Sequence, residues 1–328
     1  MADARGGLIQ AAMDVLVLGA RGGLGRLICG ELAARGHRTR TVTRGEARDA
    51  AALARAAAGA GAIVNCAGAS VALGLGHGWR GYRAVDTPIG LAAAEAARRA
   101  GARLVYVGVA HAPALARTPY VDAHERVAAA MRDQDGVVVR ATGFFSAYAA
   151  LLPLARRGIL PDIGDGRART NPIDERDLAA IVAESIAGDG PRELAAGGPE
   201  ILTRGGIFEQ VAARAGRRVR IVRLPAWLAA ASGAALSLVH PRMGQFTRFA
   251  AGLARHDVIA PSLGTRTLAG YLDELAAAGT STGAAAAAAA AAPAESPATG
   301  AGVGTGAGDA ADASSGSRER RASSSSAR

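Results

Sequence analysis

Asp14-Val-Leu-Val-Leu18-Gly-Ala-Arg-Gly22-Gly-Leu-Gly25 is the stretch that decides how this chain folds. Five apolar-patterned residues run straight into a glycine-rich turn, and Leu24 to Arg35 then has helical composition. Glycines 19, 22 and 25 fall in a GxxGxxG spacing. Such a turn lets backbone approach a pyrophosphate, and the helix that follows offers unpaired N–H donors and a favourable dipole. In a chain with 44 glycines the spacing alone says little. Its context says more: strand, turn, helix and a second strand all follow in order, which favours a dinucleotide turn over a merely tight β–α connection.

Working outward, Arg38 to Thr43 and Ala62 to Cys66 read as strands, and Ile89 to Ala100 as a helix stopped by Gly101. Arg103 to Val107 is another strand, Val121 to Arg132 a helix, and Val137 to Arg140 a strand after the break at Gly136. Strands separated by helices make parallel βαβ units, so the expected class is α/β: a doubly wound parallel (Rossmann) sheet with a smaller C-terminal α+β portion. Past Phe145 the alternation loosens, with helices expected at Asp177–Ala187, Arg204–Ala215 and Trp227–Val239 and a strand at Arg218–Leu224. The expected organisation is a nucleotide-binding core over 1–145 and a portion over 146–278 that closes the pocket, with some segments returning to the core. Residues 279–328 are an Ala/Gly/Ser tail that includes nine consecutive alanines, Ala284 to Ala292. That tail has too little apolar surface to offset its ordering entropy, so disorder is expected.

The formal net charge is +10, and all 38 basic residues are arginine. These arginines are scattered and aromatics for base stacking are few, which speaks against nucleic acid as a partner. Cys29 and Cys66 fit neither a disulfide framework nor a metal spacing. Met1 to Gln10 lacks the apolar core of a signal peptide, and the longest apolar run, Ala226 to Val239, has 14 residues and is too short to span a bilayer. A soluble, cytoplasmic protein is the expectation. Trp227 and the run after it read as core or pocket lid. The alternative is an interfacial helix edged by Arg217, Arg218, Arg220 and Arg223, which makes peripheral membrane contact a secondary reading.

The end of the second strand bears on the cofactor. An NAD site usually carries an acid there for the ribose 2′-hydroxyl, whereas this chain has Thr43-Arg44 and no acid before Glu46. Arg44, with Arg21 in the turn, suits a 2′-phosphate, so NADP(H) is preferred over NAD(H). The competing reading is that both are ordinary surface arginines.

With the glycines in place, further segments resemble the short-chain dehydrogenase/reductase superfamily. Asn65-Cys-Ala-Gly68 is similar to its strand-end contact with adenosine, Val85 to Ala100 and Leu104 to Gly108 to its central helix and strand, and Tyr120-Val-Asp-Ala-His124 to its YxxxK motif. Arg140-Ala-Thr-Gly-Phe-Phe145 resembles the segment flanking the nicotinamide. Ile163-Gly-Asp-Gly166, Asn171-Pro-Ile-Asp174 and Asp177-Leu-Ala179 resemble elements of the atypical, NmrA-like branch. Within it the chain looks nearest to bacterial NAD(P)-binding proteins related to the complex I 39 kDa accessory subunit and to ubiquinone-biosynthesis accessory proteins. The resemblance implies cofactor contacts at Gly19, Arg21, Gly22, Gly23, Leu24 and Gly25, at Arg44, at Cys66, Ala67 and Gly68, and at Thr142, Gly143 and Phe144. It implies Tyr120 and His124 as the catalytic pair, acting on a small or lipophilic carbonyl or quinone-related substrate.

Two positions depart from that pattern. The lysine that lowers the tyrosine pKa is His124 here, and the serine that polarises the carbonyl is Gly108. Positioned acid–base groups contribute about 10²–10⁴-fold each, so carbonyl reduction would be slow unless His111, Thr118 or Thr142 substitutes. A non-catalytic, NADP(H)-binding accessory or redox-sensing protein is therefore the alternative expectation. The bland reading of Tyr120 and His124 is a helix-capping tyrosine beside a surface histidine.

Overall fold

In the computed structural model, which describes residues 12–69, 78–188 and 190–278, the first strand begins where the sequence places it. β1 (Asp14–Leu18) is buried along its apolar run, and α1 (Gly23–Ala34) follows the glycine turn directly. β2 (Arg38–Thr41) and α2 (Ala50–Ala57) come next, α2 being capped by Asp49, whose carboxylate accepts from the N–H groups of Ala51 and Ala52. β3 (Ala62–Asn65) then leads to α3 (Tyr82–Ala100), which is seven residues longer at its start than the composition of Ile89–Ala100 predicts. Pro88 lies within that helix, and its early turns carry Asp86 and Thr87, which hid them from a reading by propensity. Gly101, at φ +61, ends α3 in the left-handed conformation that glycine adopts without strain.

β4 (Arg103–Val109), α4 (Pro119–Ala130) and β5 (Gly136–Ala141) complete the alternating half. Beyond it lie α5 (Phe145–Ala149), α6 (Leu152–Ala155), β6 (Ile159–Ile163), β7 (Arg169–Thr170) and α7 (Glu175–Glu184). They are followed by β8 (Glu193–Ala196), β9 (Leu202–Thr203), α8 (Arg204–Ala213), β10 (Arg220–Leu224), α9 (Ala226–Val239) and α10 (Pro241–Leu253). Residues 268–278 form a further helix. The readings made for Met1–Gln10 and for 279–328, the alanine run included, lie outside the described residues.

The main sheet has six parallel strands in the order β2-β1-β3-β4-β5-β8. This is the doubly wound α/β sheet expected. Alternating side chains feed two cores. Leu16, Leu18, Ile63, Leu104 and Val138 pack with α2, α3 and α4, while Val15, Val17, Val64, Val105 and Val139 pack with α1 and α7. The chain leaves β1 outward to β2 and then returns across β1 to β3. The strand order therefore reverses between β1 and β3, and their C-terminal ends open a crevice there.

A third core under β6, α8 and the 268–278 helix gathers Phe145, Leu160, Ile207, Phe208, Leu268 and Leu272. Here one expectation needs correcting. Trp227 and the run after it are not core: α9 packs on α10 through its small residues, and Trp227, Leu228, Leu238 and Val239 stay exposed. A Cβ at Gly233 would stand 2.9 Å from the Gly244 carbonyl oxygen, so the two helices meet nearly backbone to backbone.

Candidate functional site

At the crevice, Gly19 (φ +89) turns the chain out of β1, and the Gly22 N–H donates to the Gly19 carbonyl at 2.9 Å. A Cβ on Gly19 would collide with the backbone of Cys66 and Ala67 at 2.8–2.9 Å, so the turn after β1 and the loop after β3 can approach only without one. A Cβ on Gly25 would overlap the Gly19 carbonyl, and this absence lets α1 start against the turn. Gly23 meets nothing within 4 Å, leaving its backbone open. α1 has no side-chain cap and no acid in its first turn, so the N–H groups of Gly23, Leu24 and Gly25 present an uncompensated positive end to the crevice. This anion cradle is what a bound pyrophosphate requires, and the residues present fit a dinucleotide there.

The rest of the crevice comes from three strand ends. After β3, the Asn65 side-chain oxygen accepts from the Ala67 N–H at 3.0 Å, while its buried Nδ2 has no protein partner. The Cys66 thiol donates to the Leu18 carbonyl, and burial pushes its pKa up to about 12, so it is a packed group and no nucleophile. Gly68 lies beside the Asp86 carboxylate of α3, which accepts from the Ala69 N–H at 2.5 Å. After β5, the Thr142 hydroxyl donates to the Asn171 carbonyl at 2.7 Å, Gly143 approaches the Tyr148 hydroxyl, and Phe144 flanks the same core as Ala20, Leu24 and Cys66. At the far rim Arg21 and Arg44 are exposed. Glu46 folds back onto the Thr43 N–H at 2.7 Å; that bond, helped by the charge of Arg21, holds it below the usual carboxylate range. The nearest acid is thus engaged with backbone.

The expected acid–base pair sits in an aromatic cluster in which Tyr82, Tyr106 and Phe249 are buried and Tyr120 and His124 half-buried. Tyr120, second residue of α4, contacts the rings of Tyr82 at 4.8 Å, His124 at 5.0 Å and Phe249 at 4.7 Å. Burial and the nearby Asp86 raise its pKa above that of an ordinary phenol. His124 stands one turn on, as the spacing requires, but it is no surface histidine. Its Nδ1 is 2.6 Å from the Tyr106 hydroxyl of β4, and burial lowers its pKa to about 4. As a neutral imidazole it shares one hydrogen bond with Tyr106, in the direction its tautomer sets, and supplies none of the positive charge a lysine would place beside a phenolate. Gly108 is buried in β4 with a Cβ position only 3.1 Å from Val138, which leaves a serine little room.

None of the three substitutes has a free donor. Thr142 and Thr118 each donate to a carbonyl, and His111 faces the Glu125 carboxylate at 3.2 Å. Glu125 is in turn paired with Arg140, which also reaches Glu193. Burial pushes Glu125 up, but Arg140 and His111 outweigh it and hold the carboxyl low.

Reading by motif missed Asp86, Tyr82 and Tyr106. Asp86 was legible as an acid in an otherwise apolar helix face; the two tyrosines carried no signal. Asp86 is buried with one oxygen unpartnered, and burial raises its pKa to about 7. Among the described residues no group of three or more His, Cys, Asp or Glu side chains is placed to hold a metal, and no helix is long and apolar enough to cross a membrane.

No family model and no curated relative matches the chain. Among solved structures it is similar to an NADPH-dependent quinone oxidoreductase from Escherichia coli complexed with NADPH (18% identity, 80% of this chain and 99% of that one, TM-score 0.56). It is also similar to a Citrobacter sp. triphenylmethane reductase (14%, 75% and 90%, TM-score 0.55). A third likeness is to a dTDP-4-dehydrorhamnose reductase from Bacillus anthracis in complex with NADP (13%, 65% and 84%, TM-score 0.52). At such identities the likeness establishes the shared fold.

Proposed function

We propose that this chain is an NADP(H)-binding protein of the short-chain dehydrogenase/reductase type that reduces a small or lipophilic carbonyl or quinone-related substrate. The observation that carries the reading is the uncapped start of α1 behind Gly19, Gly22 and Gly25, placed where the strand order reverses. Two of the fold neighbours, solved with NADPH and with NADP, support it.

In this reading the N–H groups of Gly23, Leu24 and Gly25 hold the pyrophosphate, Cys66 to Gly68 line the adenosine side, and Thr142 to Phe144 flank the nicotinamide. Arg44 and Arg21 take the 2′-phosphate, and Tyr120 gives a proton to the substrate oxygen. The reduced cofactor supplies the electrons. His124 keeps the Tyr120 ring in place and fixes the Tyr106 hydroxyl. Residues 146–278 form the substrate side. The narrower kinship, with NmrA-like proteins and relatives of the complex I 39 kDa subunit, rests on the segments 140–145 and 163–179 alone.

Calorimetric titration with NADPH and NADH is the test. Tight NADPH binding weakened about tenfold or more by Arg44→Ala, the order expected for loss of one charge-assisted contact, is the expected result; NADH bound more tightly than NADPH refutes the preference. A second reading, an accessory or sensing protein that binds the cofactor without turnover, is favoured by the neutral His124 and by Gly108. Sustained NADPH oxidation that Tyr120→Phe abolishes decides for the reductase.

A further inference from the structure

The surface around α9 has a composition unlike the rest of the molecule. From Gln210 to His256 the chain holds eight arginines and neither aspartate nor glutamate, most of the excess charge of the whole protein. Three of the eight are engaged with acids or buried: Arg214 pairs with Asp273, Arg223 stands 3.9 Å from the buried Asp162 carboxylate, and Arg242 is buried. Arg217, Arg218, Arg220, Arg223, Arg248 and Arg255 are exposed.

Beside Arg223, Arg248 and Arg255 lies an apolar face. Trp227 is 69% exposed, Leu228 41%, Leu238 85% and Val239 70%. They stand at both ends of a 14-residue helix that carries no charge, a length of about 20 Å. Trp79 lies at the far end, 60% exposed, its indole N–H donating to the Val239 carbonyl at 2.6 Å. The only two tryptophans of the chain therefore mark the two ends of one exposed helix. Beside Trp227 opens a cavity of about 850 Å³ lined by Arg167, Arg223 and Arg255. Its two acids are engaged, Asp257 with Arg169 and Asp165 with the Arg167 N–H.

We propose that this face docks on an anionic lipid bilayer, with α9 lying in the plane of the headgroups. An apolar helix with tryptophan at each end suits the boundary between acyl chains and water, since indole joins an apolar body to one polar N–H. The arginine rim, richer in arginine than in acids, attracts negative headgroups, and the cavity beside Trp227 accepts one phosphate. A second copy of the chain is a poorer occupant, because a two-fold interface would set this rim against itself. The proposal does not depend on the nucleotide reading.

The test is sedimentation of the full chain with vesicles of phosphatidylcholine alone and of phosphatidylcholine with phosphatidylglycerol, at low and high salt. The expected result is binding to the anionic vesicles only, with a blue shift of tryptophan emission, released as salt shortens the screening length. Leu238→Glu with Val239→Glu, and separately Arg248→Ser with Arg255→Ser, lower the bound fraction by about tenfold or more, since each arginine near the surface contributes on the order of 1 kcal/mol. All four positions lie at the surface, and an unchanged thermal midpoint shows that each variant folds. Equal binding to both vesicles, no binding, or unchanged binding by the variants overturns the proposal. So does a dimer that the Leu238/Val239 variant dissociates while the parent ignores vesicles.

Discussion

A methyl group added at Gly25 would overlap the carbonyl of Gly19 and come within 2.8 Å of the Ala20 Cα, all of it backbone. The turn can relieve this only by moving off the start of α1, so Gly25→Ala should cost about 1–3 kcal/mol of stability and abolish NADPH binding, read by thermal unfolding and calorimetry. The same substitution at Gly23, where nothing lies within 4 Å, should leave the fold intact and act only on binding. Asp86 and His124 carry opposite dependences on pH. Asp86 keeps its proton in the fold up to about pH 7 but ionises near 3.8 when unfolded, so its contribution is present at low pH and lost as pH rises through that window. His124 stays neutral down to about 4, where the unfolded chain would protonate it near 6.5, so its contribution is present above 6.5 and lost as pH falls. Denaturant unfolding of Asp86→Asn against the parent should show the variant gaining, between pH 4 and 7, on the order of 2–4 kcal/mol. A flat difference would mean that Asp86 is ionised in the fold.

Helices and strands record how far the sequence could be read. Where an element carries both its period and its punctuation, as β1 does before Gly19 and α3 does before Gly101, the reading and the structure agree at that end. β8 escaped because Glu193-Leu-Ala-Ala196 has a single large apolar residue, and its place is set by pairing with β5. α10 escaped because its buried face is made of glycine, alanine and Arg242 as much as of Phe249. The crevice loops were legible from glycine spacing, which reflects backbone sterics. That Tyr82, Tyr106 and Asp86 meet was not, because tertiary packing alone joins α3, β4 and α4 there. At this scale the caps are open to test. Asp49→Ala removes two hydrogen bonds to the start of α2 and should lower stability by about 1 kcal/mol, measured by chemical denaturation.

In the molecule as a whole, the later half of the chain is sewn into the earlier one. The buried Asn171 side chain donates to the carbonyls of Gly198 and Ala260 and accepts from the Ala260 N–H. It ties together three segments far apart in sequence, and Asn171→Ala should cost about 2–3 kcal/mol by leaving those groups unpaired. α7 covers one face of the sheet, and β8 pairs along β5 from Val138 to Ala141. A fragment ending at residue 145 lacks both, and should show no cooperative thermal transition.

That late arrival has a consequence during synthesis. β5 ends at Ala141 and its outer neighbour begins at Glu193. A ribosome adding about 10 residues per second leaves roughly 5 s between them, during which Val137 to Ala141 offers a bare, apolar strand edge to any other nascent chain. The interval in which this protein is most exposed to aggregation is therefore set by the order of its strands, and slower translation between Thr142 and Arg192 would lengthen it.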